Sequence, residues 1–264
     1  MDKLKEICDK IREVKIQGAT NIAKAAIEAY YLSPSLKTKK LLISLRPTEP
    51  TLVNALMRIG RWEKDAIIKH FEDSQEKINE LACTLIEGRK RIFTHCHSTN
   101  VVKALIYAKK KGLKFEVYNT ETRPLFQGRI TAKELSKNGI KVTDFVDSAA
   151  NIAISDVDLV FLGSDAILKK GAINKIGSGM ISSIAKSNKK PVYIIADSWK
   201  FSTKAVKIEE RDFHEVWKNA PKNVKVRDPA FELIEKKYIA GVVSEFGILS
   251  FDMFVNVAKK ELSS

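Results

Sequence analysis

Little in this sequence points outside a reduced, water-filled compartment. Its 264 residues contain three cysteines, Cys8, Cys83 and Cys96, an odd number at wide spacing without a CxxC pair. That excludes a disulfide framework and argues against a thiolate zinc site, so the cysteines read as free thiols and no metal is expected. Four histidines are too few and too scattered to supply a metal site of their own. No apolar run approaches the ~20 residues that cross a bilayer. The opening MDKLKEICDK is charged and helical in pattern rather than a secretion signal, and a soluble, cytoplasmic protein is the expectation.

Nucleotide signatures are missing as well. No G-x-G-x-x-G follows the first strand of the α/β region and no G-x-x-x-x-G-K-[ST] occurs, which disfavours a bound dinucleotide or a nucleotide-hydrolysing loop. No cofactor is expected. Acidic residues are in deficit, 32 against 46 Lys and Arg, for a formal charge of +14. The surface field therefore favours anions such as phosphorylated metabolites or an acidic partner. Lysines scattered in EKK, KKK and NKK clusters, with no RNP, KH, zinc-finger or helix-turn-helix pattern, make nucleic acid an unlikely partner.

The patterning that is present divides the chain. Leu4, Ile7, Cys8, Ile11 and Val14 recur at helical spacing, and a second helix follows Gly18 in the alanine-rich NIAKAAIEAYYL. LLISL reads as a short strand ending at Arg46-Pro47, and from Thr51 to Glu87 two helices break near Ile59-Gly60-Arg61. From Gly88 onward, short apolar strands (RIFTH, KFEVYN, KVTDFV, LVFLG, PVYIIAD, YIAGVVS) alternate with helical stretches, the mark of βαβ units and a mainly parallel sheet. The fold class is α/β: an N-terminal mostly helical domain over 1–87 and a Rossmann-like domain over 88–264.

In such sheets ligands bind beyond the carboxyl ends of the strands, where the strand order switches. This selects Cys96 after the first strand, Glu121 and Arg123 after the second, Asp147 after the third, Asp165 after the fourth, and Asp197 and Lys200 after the fifth. Cys96 precedes a helix opened by Ser98, where a helix dipole would lower a thiol pKa and favour proton transfer or nucleophilic attack; it is equally readable as a small buried hydrophobe. One of His95 and His97 is expected to be buried and hydrogen-bonded. Asp165 fits a general acid or base, or a turn residue. Gly177-Ser178-Gly179 fits a phosphate-binding helix start, or simply an N-cap at Ser178. Arg46 and Lys175 are the cations best placed for phosphate, and Arg123 is expected to pair with Glu121.

Taken in order, THCHS, TETRPLFQGRITAKEL, VDSAA, GSDAI, G-A-x-NKIGS and the WKF of ADSWKF resemble the superfamily that joins ribose-1,5-bisphosphate isomerase, methylthioribose-1-phosphate isomerase and the regulatory subunits of translation initiation factor 2B. QGATNIAKAA and LRPTEPTLVNAL extend the resemblance over nearly the whole chain. It implies a phosphosugar site between the two domains and a homodimer or higher homo-oligomer formed through the Rossmann-like part. It implies Cys96 and Asp165 as the catalytic pair, and substrate contacts from Gly18, Ala19, Arg46, Ser98, Thr99, Asn174, Lys175 and Lys200. THCHS and GAINKIGS look most like the ribose-1,5-bisphosphate branch, which implies an aldose–ketose isomerase. A silent regulatory subunit that binds an initiation factor or a sugar or nucleotide phosphate is the alternative. Gln17, ADSWKF and DPAFELIEKKY depart from that branch, which usually has arginine at the position of Gln17.

Overall fold

Arg91–His95 (β1) is the hub of the molecule. In the computed structural model, which describes residues 2–13, 15, 16, 18–46, 49–208 and 210–263, β1 pairs in parallel with Glu116–Thr120 (β2) on one side and Leu159–Leu162 (β4) on the other. Four of its five residues are buried, as expected of a central strand covered on both faces. Lys141–Phe145 (β3) extends the β2 side; Val192–Ile195 (β7), Gly241–Ser244 (β9) and Gly247–Leu249 (β10) extend the other. The order is β10-β9-β7-β4-β1-β2-β3, parallel except for the β9–β10 hairpin. The chain runs outward from β1 to β3 and then returns to β4, so the order switches between β1 and β4.

Five helices precede this sheet: Asp2–Arg12 (α1), Ala19–Leu32 (α2), Leu36–Leu45 (α3), Pro50–Arg58 (α4) and Lys64–Ile86 (α5). LLISL therefore lies in a helix, not the expected strand. Ser35 caps that helix by accepting the Thr38 N–H at 3.0 Å, which commits the segment to helix before the apolar run begins. Thr99–Lys110 (α6), Gln127–Lys137 (α7), Ala150–Ser155 (α8), Ser178–Ser187 (α9) and Phe251–Ser263 (α10) complete the helices, packing on the sheet in two apolar layers. None of the described helices is long and apolar enough to cross a membrane.

The stretch after GSDAI, read from sequence as a loop, is a second sheet. Ala166–Leu168 (β5), Gly171–Lys175 (β6) and Phe231–Glu235 (β8) pair antiparallel in the order β5-β6-β8. This small sheet anchors the turn beyond β4, because the Asp165 N–H donates to the Ile173 carbonyl at 2.8 Å.

The helical part has its own core, and the indole of Trp199, from the turn after β7, is inserted in it. Asn54 on α4 clamps that turn, its Nδ2 donating to the carbonyls of Trp199 at 2.7 Å and Phe201 at 3.0 Å.

Candidate active site

A cavity of about 350 Å³ opens at the carboxyl ends of β1 and β4. Its walls include Cys96, Asp165, Gly18, Ala19, Arg46, Ser98, Thr99, Asn174, Lys175 and Lys200, all ten residues selected from sequence. Glu121, Arg123, Asp147 and Asp197, also taken as rim candidates, are not among the lining residues. Arg123 does not pair with Glu121: Glu121 binds Arg129 at 2.6 Å, whereas the Arg123 guanidinium donates to the Val216 carbonyl at 3.3 Å. Asp147 accepts the N–H groups of Thr122 and Arg123, shaping the loop after β2. Asp197 is buried and accepts the Trp199 N–H.

Cys96 sits immediately after β1 with φ of 66°, a left-handed conformation that costs a non-glycine residue about 1–3 kcal/mol. Its surroundings over-determine it. The Cys96 N–H donates to Thr122 Oγ1 at 3.0 Å, and Thr131 Oγ1 donates to the Cys96 carbonyl at 2.8 Å. The flanking histidines are structural in their contacts. His95 Nε2–H donates to the Ile176 carbonyl at 2.9 Å, leaving Nδ1 to accept from the Thr120 hydroxyl at 2.5 Å, and burial lowers its pKa. His97 Nδ1 meets Thr131 Oγ1 at 3.0 Å, so it bonds the same hydroxyl that holds the Cys96 carbonyl.

Burial pushes the Cys96 thiol up to about 12, opposed by the N–H of His97 and the charge of Lys175. The expected helix-lowered thiolate is therefore overturned: desolvation outweighs the α6 dipole, and the resting group is a thiol. Asp165 is likewise raised by burial, against the pull of Lys200, Arg46 and Lys175. Cys96 therefore holds its proton near neutral pH, and burial favours the protonated form of Asp165.

Two helix N-termini converge on the same space. Gly18 (φ 84°) precedes α2, with Ala19, Thr20 and Asn21 on the wall. Ser98 precedes α6, and its hydroxyl is not spent on capping. Orphan backbone N–H groups and the positive ends of the helix dipoles make this an anion site. Gly163, at the end of β4, permits the approach of α6, since a Cβ there would lie 2.5 Å from Ser98 Oγ.

Lys175 and Lys200 are buried at 4% and 5% exposure, and Lys200 Nζ donates to Asn100 Oδ1 at 3.1 Å. A third terminus is not available. The N–H groups of Gly177 and Gly179 at the start of α9 both donate to Glu232 Oε1, at 2.6 and 2.9 Å, so the glycine-rich segment holds a protein carboxylate where a phosphate was expected. Gly177, not Ser178, is the N-cap residue there.

Sequence reasoning missed Glu49, Arg211, Asn100 and Gln127, which also line the cavity. Arg211 lies in the unpatterned stretch between β7 and β8, where no periodicity marks it. Glu49 precedes Pro50 at the first turn of α4 and looks from sequence like a helix-start acid. Gln17, which stands where the resembled branch usually has arginine, lies outside the described residues, as do Pro47 and Thr48 of the RPT segment.

Known proteins resemble this chain in sequence and in fold. Ribose 1,5-bisphosphate isomerase of Archaeoglobus fulgidus is 33% identical over 99% of this chain and 94% of that protein. The enzyme of the same name from Methanocaldococcus jannaschii is 34% identical over 94% of this chain and 92% of its own length. A solved structure, the Pyrococcus horikoshii OT3 translation initiation factor eIF-2B, superposes with a TM-score of 0.83 at 24% identity, covering 95% of this chain and 98% of that one. The family model described as Initiation factor 2 subunit family matches residues 20–251, nearly the whole α/β scaffold and the cavity walls from Thr20 onward, and the chain belongs to that family.

Proposed function

We propose that this protein is a sugar-phosphate isomerase that converts ribose 1,5-bisphosphate into ribulose 1,5-bisphosphate. The observation that carries the reading is the presence of Cys96 and Asp165 in one cavity with two helix N-termini and four cations, Arg46, Lys175, Lys200 and Arg211. Its relatives named for the same substrate support it. So does the volume, which suits a pentose carrying two phosphates and falls within the ~300–1,000 Å³ of small-molecule sites. We take 1–87 and 88–264 as the two domains that close on the sugar.

The chemistry needs two proton carriers and electrostatic support. Cys96, as thiolate, removes the C2 proton while the bond from C1 to the ring oxygen breaks and Asp165 gives its proton to that oxygen. An enol phosphate remains, with a C1–C2 double bond and a hydroxyl on C2. The Cys96 thiol then returns a proton to C1 as the Asp165 carboxylate takes the C2 hydroxyl proton. The product is a ketone at C2 with phosphate retained on C1, and both side chains regain their starting forms. Lys175 favours the thiolate, and the cations with the α2 and α6 backbone amides hold the phosphates and stabilise charge developing on the enol.

The test is incubation with ribose 1,5-bisphosphate, followed by NMR. Appearance of ribulose 1,5-bisphosphate, abolished in Cys96→Ser and Asp165→Asn, is the expected result; no turnover with any ribose phosphate overturns it. The charge of +14 also suits a regulatory subunit that docks on an acidic initiation factor. That reading predicts capture of such a factor without turnover. We further propose a homodimer formed through the C-terminal part, which light scattering at micromolar concentration would contradict by showing a monomer.

A further inference from the structure

Glu49 has no role in the mechanism above, yet it is built into the wall of the cavity. It is only 5% exposed, one oxygen accepts from Arg46 Nη2 at 3.0 Å, and the other, Oε2, is buried without a hydrogen-bond partner among the described residues. A buried carboxylate with an orphaned oxygen is costly unless something supplies a proton or a donor. Glu49 and Asp165 share more than the main cavity. Both also line a small adjoining void of about 10 Å³ closed by Ala166, Ile173 and Phe231. Two carboxylate-bearing residues thus border one confined space whose other lining, apart from Lys207, is apolar.

We propose that Glu49 is a positioning residue for Asp165: the two carboxyl groups act as a coupled pair that retains one proton, which keeps Asp165 available in the acid form that ring opening requires. The inference rests on the sugar-phosphate isomerase reading for its catalytic part, but the pairing itself does not. Like charges in a low-dielectric pocket cannot both ionise cheaply, so the first proton is retained well above the ordinary carboxylate range. Glu49 is pushed up to about 7 by burial and then by Asp165, against the opposing charges of Arg46 and Lys200. Asp165 is raised by burial against Lys200, Arg46 and Lys175. Cys96 also faces the main cavity, and Lys207 lines the small void. Without Glu49, three cations would be left facing Asp165 and would draw off its proton.

The direct measurement is the side-chain carboxyl ¹³C titration of the full-length protein, compared with Glu49→Gln and Asp165→Asn. Gln retains an oxygen for Arg46 while removing the charge. The pair requires the Asp165 titration to fall by about one unit or more in Glu49→Gln, and the Glu49 titration to fall in Asp165→Asn. Titrations that do not respond to each other overturn it. In the activity profile, the deficit of Glu49→Gln should grow with pH, reaching about tenfold or more at pH 8 relative to pH 5, because the variant loses the Asp165 proton earlier. A deficit that is constant with pH would mean Glu49 merely props Arg46, and overturns the proposal. Mutually dependent titrations in a protein that isomerises no ribose phosphate would sustain the pair and remove the isomerase reading.

Discussion

The indole of Trp199 lies face to face on the imidazole of His70, with centroids 3.7 Å apart and planes inclined by 10°. Arg58 covers the indole, its guanidinium carbon 4.3 Å from the ring centre, and Phe71 meets the indole edge-on at 5.1 Å. Burial holds His70 neutral, pushing its pKa down to about 3, so this contact is a stack of neutral rings under a cation. The stack joins the turn after β7 to α4 and α5, and the next residue along that turn is Lys200 of the cavity. Packing between the helical part and the sheet therefore sets where Lys200, a cation of the cavity wall, stands.

Trp199→Ala should consequently destabilise the fold by about 3–5 kcal/mol, the range for removing a large buried aromatic. Urea unfolding measures it. The same variant should weaken sugar-phosphate binding by displacing Lys200. A loss below about 1 kcal/mol would show that Asn54 alone anchors the turn.

Cys96→Ser should leave ligand affinity close to that of the wild type while lowering turnover by about two to four orders of magnitude, the range for a general acid–base group. Because burial raises the Cys96 pKa, the thiolate fraction, and with it the wild-type rate, increases as pH rises from the acid side until the Asp165 proton is lost. A stopped-flow or NMR rate profile that is flat between pH 5 and 7 would remove Cys96 as the base.

The elements legible in the sequence obey a physical rule. β1, β2, β3, β4, β7 and β9 are short segments rich in β-branched, aromatic and other apolar residues bounded by turn chemistry, and residues just beyond their ends can be placed at the switch between β1 and β4 from pattern alone. α3 reads wrongly as a strand because LLISL, five consecutive apolar or small residues, carries no periodicity of its own; only the Ser35 cap marks the helix. β5 spans three residues, Ala166–Leu168, too few to show alternation, and is defined by pairing with β6. Glu49 and Glu232 escape sequence reasoning for a common reason. What each carboxylate does depends on tertiary neighbours, Asp165 and the start of α9 respectively, which sequence spacing cannot place.

A second carboxylate pair should make stability depend on pH. Glu245 is pushed up to about 7 by burial and then by Asp197, although both its oxygens accept the Ser198 N–H. Relative to the ordinary value of 4.5, a raised folded pKa means that the folded state binds the proton more tightly. Its stabilising contribution is complete below about 4.5 and is lost as pH rises through about 7. Glu245→Gln should therefore gain stability over the wild type across that window, by on the order of 2–3 kcal/mol at pH 8 relative to pH 4.5. Denaturant midpoints measured across that range decide it: a difference between the two proteins that does not vary with pH would place the proton elsewhere.

Lys175 offers the sharpest test of the proposed anion site, because it is buried at the end of β6 and lines the same cavity as the thiol. Replacing it by methionine keeps most of the stem and removes the charge. Sugar-phosphate binding should weaken by about 1.5–3 kcal/mol, the worth of a hydrogen bond to a charged group, which calorimetry reads as a loss of roughly tenfold to more than a hundredfold in Kd. Turnover at saturating substrate should fall as well, since the Lys175 charge is one of the influences that lower the Cys96 pKa. Arg46→Leu is the informative contrast. It removes a cation from the same cavity but also strips Glu49 of its ion pair, so it should cost fold stability where Lys175→Met does not. If Lys175→Met leaves both affinity and turnover unchanged, the phosphates do not lie against β6, and the α2 and α6 termini with Arg46, Lys200 and Arg211 would have to hold them.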